Sequence, residues 1–167
     1  QGKALAKTDI KLESVELVMK KAVAINPSCH VVIAGGEPML HPQFFEILDE
    51  VASHDVTFSL LTNGSLITPD CAARFKAYSK LTRIDISIDG MSKEVHDLTR
   101  RGSFDATMAG IETCVEAGLA MVIAPTMHSG NFHEMKDLAF FALRRGIAFK
   151  PNRMVQTAMR PHNPLQA

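Results

Sequence analysis

No two cysteines of this chain are neighbours in sequence. Cys29, Cys71 and Cys114 lie more than 40 positions apart, and no CxxC pair occurs. That spacing argues against a disulfide framework and against a local zinc or iron–sulfur cradle. An excess of charge is missing too, since 18 Lys and Arg balance 18 Asp and Glu. No global field therefore draws nucleic acid or an anionic membrane to the surface. No apolar run approaches the roughly 20 residues that span a bilayer. The opening stretch "QGKALAKTDIKLES" lacks the apolar core of a signal peptide. The expectation is a cytoplasmic protein with reduced thiols, without nucleic-acid or membrane partners. What is present is 167 residues, 46% hydrophobic and 22% charged, as suits one domain with a substantial core.

The chain alternates two periodicities. "LESVELVMKKAVAI" puts Val15, Leu17, Val18, Ala22 and Ile25 roughly on one helical stripe. "HVVIA" reads as a strand. Pro42 then opens a helix with Phe44, Phe45, Leu48 and Val51 as its buried face. "VTFSLL" is a strand closed by Asn63-Gly64. Thr68 caps a helix, with Pro69 behind it. "RIDISID" alternates strictly and is a strand. Ser103 caps "FDATMAGIETCVEA", and Gly118 ends it. "AMVIAP" is a strand. Asn131, with Glu134 three residues on, makes a capping-box-like start to a helix that Gly146 ends. "IAFKPNRM" is the last strand, and "VQTAMRPHNPLQA" is irregular.

This α-βα-βα-βα-βα-β order means parallel strands joined by right-handed crossovers. Five strands form an open doubly wound sheet or an arc of a barrel, and periodicity does not separate the two. "RIDISID" helps. Ile84, Ile86 and Ile88 point one way, and Asp85, Ser87 and Asp89 the other. A strand covered by helices on both faces is apolar on both, so three polar residues on one face suggest a lined cavity, as inside a barrel. An edge strand with one wet face is the plainer alternative.

Ligands of parallel α/β folds bind outside the carboxyl ends of the strands. Those ends read Gly35-Gly36-Glu37-Pro38, Thr62-Asn63-Gly64, Ser87-Ile88-Asp89-Gly90 and Pro125-Thr126-Met127-His128. Glycine lets backbone approach a ligand closely, and Glu37 is an acceptor suited to an ammonium or a hydroxyl. Each taken alone is an ordinary turn signal. Four in register on successive strands point to a site.

The stretches "GGEPMLHPQF", "LLTNGSLI", "RIDISIDG", "HDLTRRGSFDATMAGIETCVEAGL" and "APTMHSGNFHEM" carry a resemblance. Together they resemble the core of the radical S-adenosylmethionine enzymes, in the branch that modifies peptides and haem or cofactor precursors. The resemblance implies an α/β fold, a partial parallel TIM-barrel-like (β/α) arc of about five strands here. It also implies S-adenosylmethionine and a [4Fe–4S] cluster at the carboxyl-end mouth. Such enzymes cleave S-adenosylmethionine reductively, and the 5'-deoxyadenosyl radical abstracts hydrogen from a peptide or small-molecule substrate. A flavodoxin or ferredoxin supplies the electron. By the same resemblance Gly35, Gly36 and Glu37 meet the methionine amino group, and Ser87 and Asp89 lie near methionine and ribose. Arg100, with Arg101 as rival, pairs with the methionine carboxylate. Thr126 to His128 border the adenine, and Asn63 joins the cofactor-binding set. Asn131 matches a family asparagine of structural duty.

One departure is large. The family's CxxxCxxC loop has no counterpart, and Cys29, Cys71 and Cys114 do not replace it. Cys71 and Cys114 sit among alanine and valine as small apolar residues. Residues 1–167 are therefore expected to be one truncated core domain, inactive alone, with the cluster ligands outside it. Self-association is expected, either through its bare "HVVIA" edge or through the open side of the barrel arc. Two other readings stand beside this one. The first is a cluster-free paralogue that binds a nucleotide-like ligand or a partner without catalysis. The second is an unrelated α/β enzyme using Asp85, Asp89 and His128. His30, His41, His54, His96 and His162 show no ligand spacing and read as surface residues.

Overall fold

A computed structural model describes residues 9–153. Helix α1 (Leu12–Ile25) leads into strand β1 (His30–Ile33), a 3-10 turn (Pro38–Leu40) and helix α2 (Phe44–Ser53). Strand β2 (Thr57–Thr62), helix α3 (Pro69–Ala77) and strand β3 (Leu81–Ile86) follow. After β3 come helix α4 (Lys93–His96) and helix α5 (Phe104–Glu116). Strands β4 (Met121–Ile123) and β5 (Thr126–Met127) precede helix α6 (Met135–Arg144). Strands β6 (Ala148–Phe149) and β7 (Asn152–Arg153) end the described chain.

Five strands form one all-parallel sheet in the order β1-β2-β3-β4-β6, and β5 pairs with β7 in a small parallel extension. The expected five-stranded α/β arc is present. Register partners share a face of the sheet. Leu60, Ile84 and Met121 form one such row, and Thr62, Ile86 and Ile123 the next. Ile84, Ile86, Ile88 and Ile123 are fully buried beneath the helices, against Leu48, Phe75, Ile111 and Leu138. The row Leu61, Asp85 and Val122 belongs to the opposite face. There Asp85 pairs with Arg83, whose Nε donates to Oδ1 at 2.8 Å. Because β3 is the middle strand of five, this polar face, with Asp85 and Ser87 half-buried on it, does not belong to an edge strand.

Local chemistry explains where elements start and stop. Thr68 caps α3 as expected, its Oγ1 accepting from Cys71 N at 3.2 Å, with Pro69 in the first turn. The last strand divides because Pro151 has no N–H to donate. Residues 148–149 pair with β4, and residues 152–153 pair with β5. Helix α2 begins at Phe44 rather than Pro42, after the unforeseen 3-10 turn. Strand β3 starts two residues before Arg83 and ends at Ile86 rather than Asp89, and α4, capped by Ser92, gave no periodic signal at four residues. The stripe on α1 also differs. Val15 and Met19 are buried, whereas Leu17, Val18 and Ile25 are exposed. Of these, Val18 lines, with the half-exposed Val32 at the free edge of β1, a groove of about 810 Å³. The irregular segment expected after residue 154 lies outside the described residues.

Candidate functional site

The strand ends are tied together by carboxylates that bond inward. Glu37 Oε1 accepts from Met39 N at 3.1 Å and from Thr62 Oγ1 at 2.7 Å, while Oε2 accepts from Asn63 N at 2.7 Å. The carboxylate thus joins the ends of β1 and β2, and Oε2 keeps capacity for a second donor. Thr62 extends the link, since Ser87 N donates to its carbonyl at 2.9 Å. Asn63 folds back on itself, its Oδ1 accepting from Ser65 N at 2.8 Å. Beside this joint, a Cβ built on Gly35 or Gly36 would meet nothing within 4 Å. Neither glycine has a positive φ. The chain's own packing does not require glycine at these positions.

Asp89 is the second knot. Only 1% exposed, it accepts through Oδ2 from Arg100 Nε at 2.7 Å and Thr99 Oγ1 at 2.8 Å. Its Oδ1 accepts from Thr126 N at 2.7 Å. Arg100 spends only its Nε here. Its two terminal nitrogens have no hydrogen-bond partner among the described residues, on a side chain 27% exposed. A guanidinium held side-on offers its fork end-on, the geometry that a carboxylate takes bidentately. Ser87, next to Asp89 on the polar face, is half-buried, and its hydroxyl has no hydrogen-bond partner among the described residues.

Two expectations at this end are corrected. Asn131 and Glu134 do not form a capping box. Asn131 is fully buried, its Nδ2 donating to the carbonyls of Asp89 and Thr126, both at 2.9 Å, and its Oδ1 accepting from His128 N at 2.8 Å. Glu134 reaches the loop after β3, accepting from Met91 N at 2.7 Å and from Ser92 N and Oγ at 3.1 and 2.6 Å. Burial opposes ionisation there. The Ser92 hydroxyl and the Ser92 and Met91 amides outweigh it and hold the carboxyl below its usual range. A Cβ on Gly90 would lie 2.8 Å from Glu134 Oε2, so this loop passes without a side chain between. Ser103 likewise stands at the start of α5 without capping it, because its Oγ donates to Arg100 O at 2.8 Å.

The histidines also depart from expectation. His96 is fully buried, not a surface residue. Its Nδ1 accepts from Asp89 N at 3.1 Å, and its Nε2 meets Ser103 Oγ at 2.9 Å. His30 lies across β2, bonded to Thr57 and Ser59. His162 lies outside the described residues. His128 is 7% exposed, its Nδ1 accepting from Gly130 N at 3.1 Å, and its Nε2 is buried without a partner among the described residues. The grouping of Asp85, Asp89 and His128 into one acid–base or metal centre is not supported. Asp85 is spent on Arg83 and Asp89 on Arg100. Among the described residues no three His, Cys, Asp or Glu side chains are placed to hold a metal. Cys114 is buried and its thiol is pushed up to about 12, chiefly by burial, so it is inert. Cys71, expected to be buried, is half-buried, with Sγ 3.3 Å from Thr68 Oγ1. These cysteines do not fit an iron–sulfur cluster.

Both His96 and His128 use Nδ1 as an acceptor, and burial holds both imidazoles below the ordinary histidine range. The folded chain keeps them neutral, while the unfolded chain takes protons near pH 6.5. The stability they contribute is present above that pH and is lost as pH falls from there towards their folded values. Each costs up to about 1.4 kcal/mol per pH unit in that window. Urea unfolding at pH 7.5 and 5.5 is expected to show the lower midpoint at pH 5.5. Equal midpoints would refute neutral imidazoles.

The chain belongs to the radical SAM superfamily, which it matches over residues 5–142. It is 35% identical over 127 residues to the mycofactocin maturase of Mycobacterium tuberculosis, covering 75% of this chain and 32% of that protein. It is 35% identical over 107 residues to the AdoMet-dependent heme synthase of Methanosarcina barkeri, covering 63% of this chain and 30% of that one. The chain therefore spans about a third of the length of these relatives. In fold it is similar to SuiB of Streptococcus suis bound to S-adenosylmethionine. That likeness has a TM-score of 0.79 at 14% identity, over 93% of this chain and 36% of the other. It is also similar to anSMEcpe with bound AdoMet, with a TM-score of 0.74 at 20% identity, over 92% and 45%. No helix among the described residues is long and apolar enough to cross a membrane.

Sequence reasoning reached Gly35, Gly36, Glu37, Asn63, Ser87, Asp89, Arg100 and Thr126, and the structure brings all of them to one end of the sheet. It named Thr62 only as a strand end, read His96 as a surface residue, passed over Thr99 and misassigned Glu134. Thr99 left a signal as well, one residue before Arg100 in "HDLTRR".

Proposed function

We propose that this chain forms the S-adenosylmethionine-binding part of a radical enzyme that modifies a peptide or a cofactor precursor. The observation that carries the reading is the pairing, at one sheet end, of an open glycine pair with an arginine fork left free by a buried aspartate. Backbone at Gly35 and Gly36, beside Glu37, accepts the ligand's ammonium. Arg100 takes its carboxylate through the terminal nitrogens. Ser87 offers its hydroxyl to the ribose or methionine, and Asn63 and Thr126 wall the pocket. S-adenosylmethionine, when bound, supplies the family's radical chemistry, and the protein holds it in orientation away from water. The cysteines of this chain do not fit the cluster that this chemistry requires. Its ligands and the electron donor, a flavodoxin or ferredoxin, are assigned to the longer enzyme, acting in the cytoplasm. The names of the relatives, a maturase and a heme synthase, favour a precursor molecule as substrate.

Affinity of this chain alone for S-adenosylmethionine is expected to be about millimolar, or about −4 kcal/mol. Gly36→Val separates a ligand role from a structural one. Its side chain meets open space, so the unfolding temperature should hold while calorimetric binding disappears. Undiminished binding in that variant would refute the site.

We propose also that the free edge of β1 is a contact surface between copies of this chain. Val31, Val32 and Ile33 carry no charge or proline to discourage pairing, and Val32 is half exposed. The chain is expected to self-associate through this edge. Sedimentation across concentrations tests it, with Val32→Lys as the monomeric control. A monomer at high concentration, unaffected by the lysine, would refute this.

A further inference from the structure

Four hydrogen bonds close a ring around Arg100. Asp89 N donates to His96 Nδ1 at 3.1 Å. His96 Nε2 meets Ser103 Oγ at 2.9 Å. Ser103 Oγ meets the Arg100 carbonyl at 2.8 Å. Arg100 Nε returns to Asp89 Oδ2 at 2.7 Å. The donors fix the tautomer. An amide only donates, so Nδ1 is the bare nitrogen and Nε2 carries the proton. That proton goes to Ser103 Oγ, whose own hydrogen is then free for the Arg100 carbonyl. One proton arrangement satisfies the whole ring, and it is the neutral imidazole.

The ring clamps both the backbone and the side chain of Arg100 to the end of β3. His96 O also accepts from Arg100 N at 3.1 Å. The imidazole is fully buried, with its ring 5.7 Å from that of Phe104, so the clamp has little freedom to drift. The Arg100 fork has no such internal partner. We infer that His96 is the positioning residue for Arg100, setting the direction in which the guanidinium meets a ligand carboxylate. The inference rests on the proposed role of Arg100. His96 touches no ligand in it and acts through Ser103 and the Asp89 amide.

The groups facing this imidazole are Asp89, Arg100 and Asp97, with the Ser103 hydroxyl. Protonation of Nδ1 replaces an acceptor with a donor opposite the Asp89 amide. The clamp therefore opens on acidification.

Four variants test the inference, titrated with S-adenosylmethionine and followed by 15N NMR, which also reports the Arg100 Nε–H signal. Arg100→Lys removes the fork and is expected to weaken binding about tenfold. His96→Phe keeps the ring volume and removes both bonds. It is expected to weaken binding by a similar factor, to speed Nε–H exchange and to abolish the loss of affinity that sets in as pH falls to the lowered range of the buried imidazole. The double variant is expected to be no weaker than Arg100→Lys, because the two act as one unit. Ser103→Ala breaks the ring from the other side and serves where His96→Phe does not fold. It is expected to speed the same exchange and to lower affinity a few fold. If Arg100→Lys binds like wild type, the carboxylate role itself is wrong. If Arg100→Lys weakens binding while His96→Phe and Ser103→Ala leave affinity, exchange and pH profile untouched, the positioning role of His96 is overturned.

Discussion

Asp89→Ala is expected to remove about 3 kcal/mol of stability, the lower end of the cost of breaking a buried charge pair. The lower end applies because Arg100 is 27% exposed and partly solvated once alone. A second contribution comes from the Thr126 amide, which loses its acceptor 2.7 Å away. An orphaned buried donor costs about 1–3 kcal/mol, and the two losses overlap because one side chain serves both. Asp89→Asn isolates the charge. Its carbonyl oxygen still accepts from Thr126 N, while the ion pair with Arg100 disappears. About half the loss is expected. Urea unfolding of the two variants checks this. A loss below about 1 kcal/mol in Asp89→Ala would mean that the aspartate is held by the fold and does not hold it.

The same residue shows how much of the site was legible. The alternation in "RIDISID" put Asp89 on the polar side near the carboxyl end of a strand, although β3 itself stops at Ile86, and the parallel order gathered that end with the ends at Thr62 and Thr126. The first follows from period-two geometry. What Asp89 does there was not legible, because its partners lie 10, 11 and 37 residues away. Asn131 and Glu134 make the same point from the other side. Their spacing fits a local capping box, yet their side chains reach 42 and 43 residues back to Asp89 and Met91. A local pattern and a long-range clasp use the same residue types, and only tertiary packing separates them. The burial of His96 left no local signal. The residue lies in the polar stretch "KEVHDLTRR", and its burial arises from α5 folding over it through Phe104. The fold was more legible than the site, since helix and strand periodicities are local and the parallel order follows from their alternation.

Gly110→Ala tests a contact on the opposite side of the β2 joint, and the sign of its effect is decided by magnitude. Within a helix, glycine to alanine is ordinarily worth about 1 kcal/mol of stabilisation. Here the added Cβ would stand 2.1 Å from the Gly64 carbonyl oxygen and 3.1 Å from its carbon. These are backbone atoms, so no rotamer change relieves the overlap. The Gly64 loop has little room to retreat. Gly64 N donates to Thr62 Oγ1 at 3.1 Å, and that hydroxyl in turn binds Glu37. Asn63 O accepts from Thr107 Oγ1 at 2.9 Å, from helix α5 itself. Either α5 lifts away and breaks the Thr107 bond, or the loop moves and loosens the Glu37 joint. Overpacking of this kind costs about 1–3 kcal/mol or more, and here it also breaks a hydrogen bond. A net destabilisation of about 2 kcal/mol is expected, with faster amide exchange at Asn63 and Gly64 than elsewhere in the sheet. Binding of S-adenosylmethionine is expected to fall with it, because Glu37 and Asn63 share that joint. A variant as stable as the parent or more so, with unchanged exchange at these two amides, would show that α5 does not press on the β2 loop.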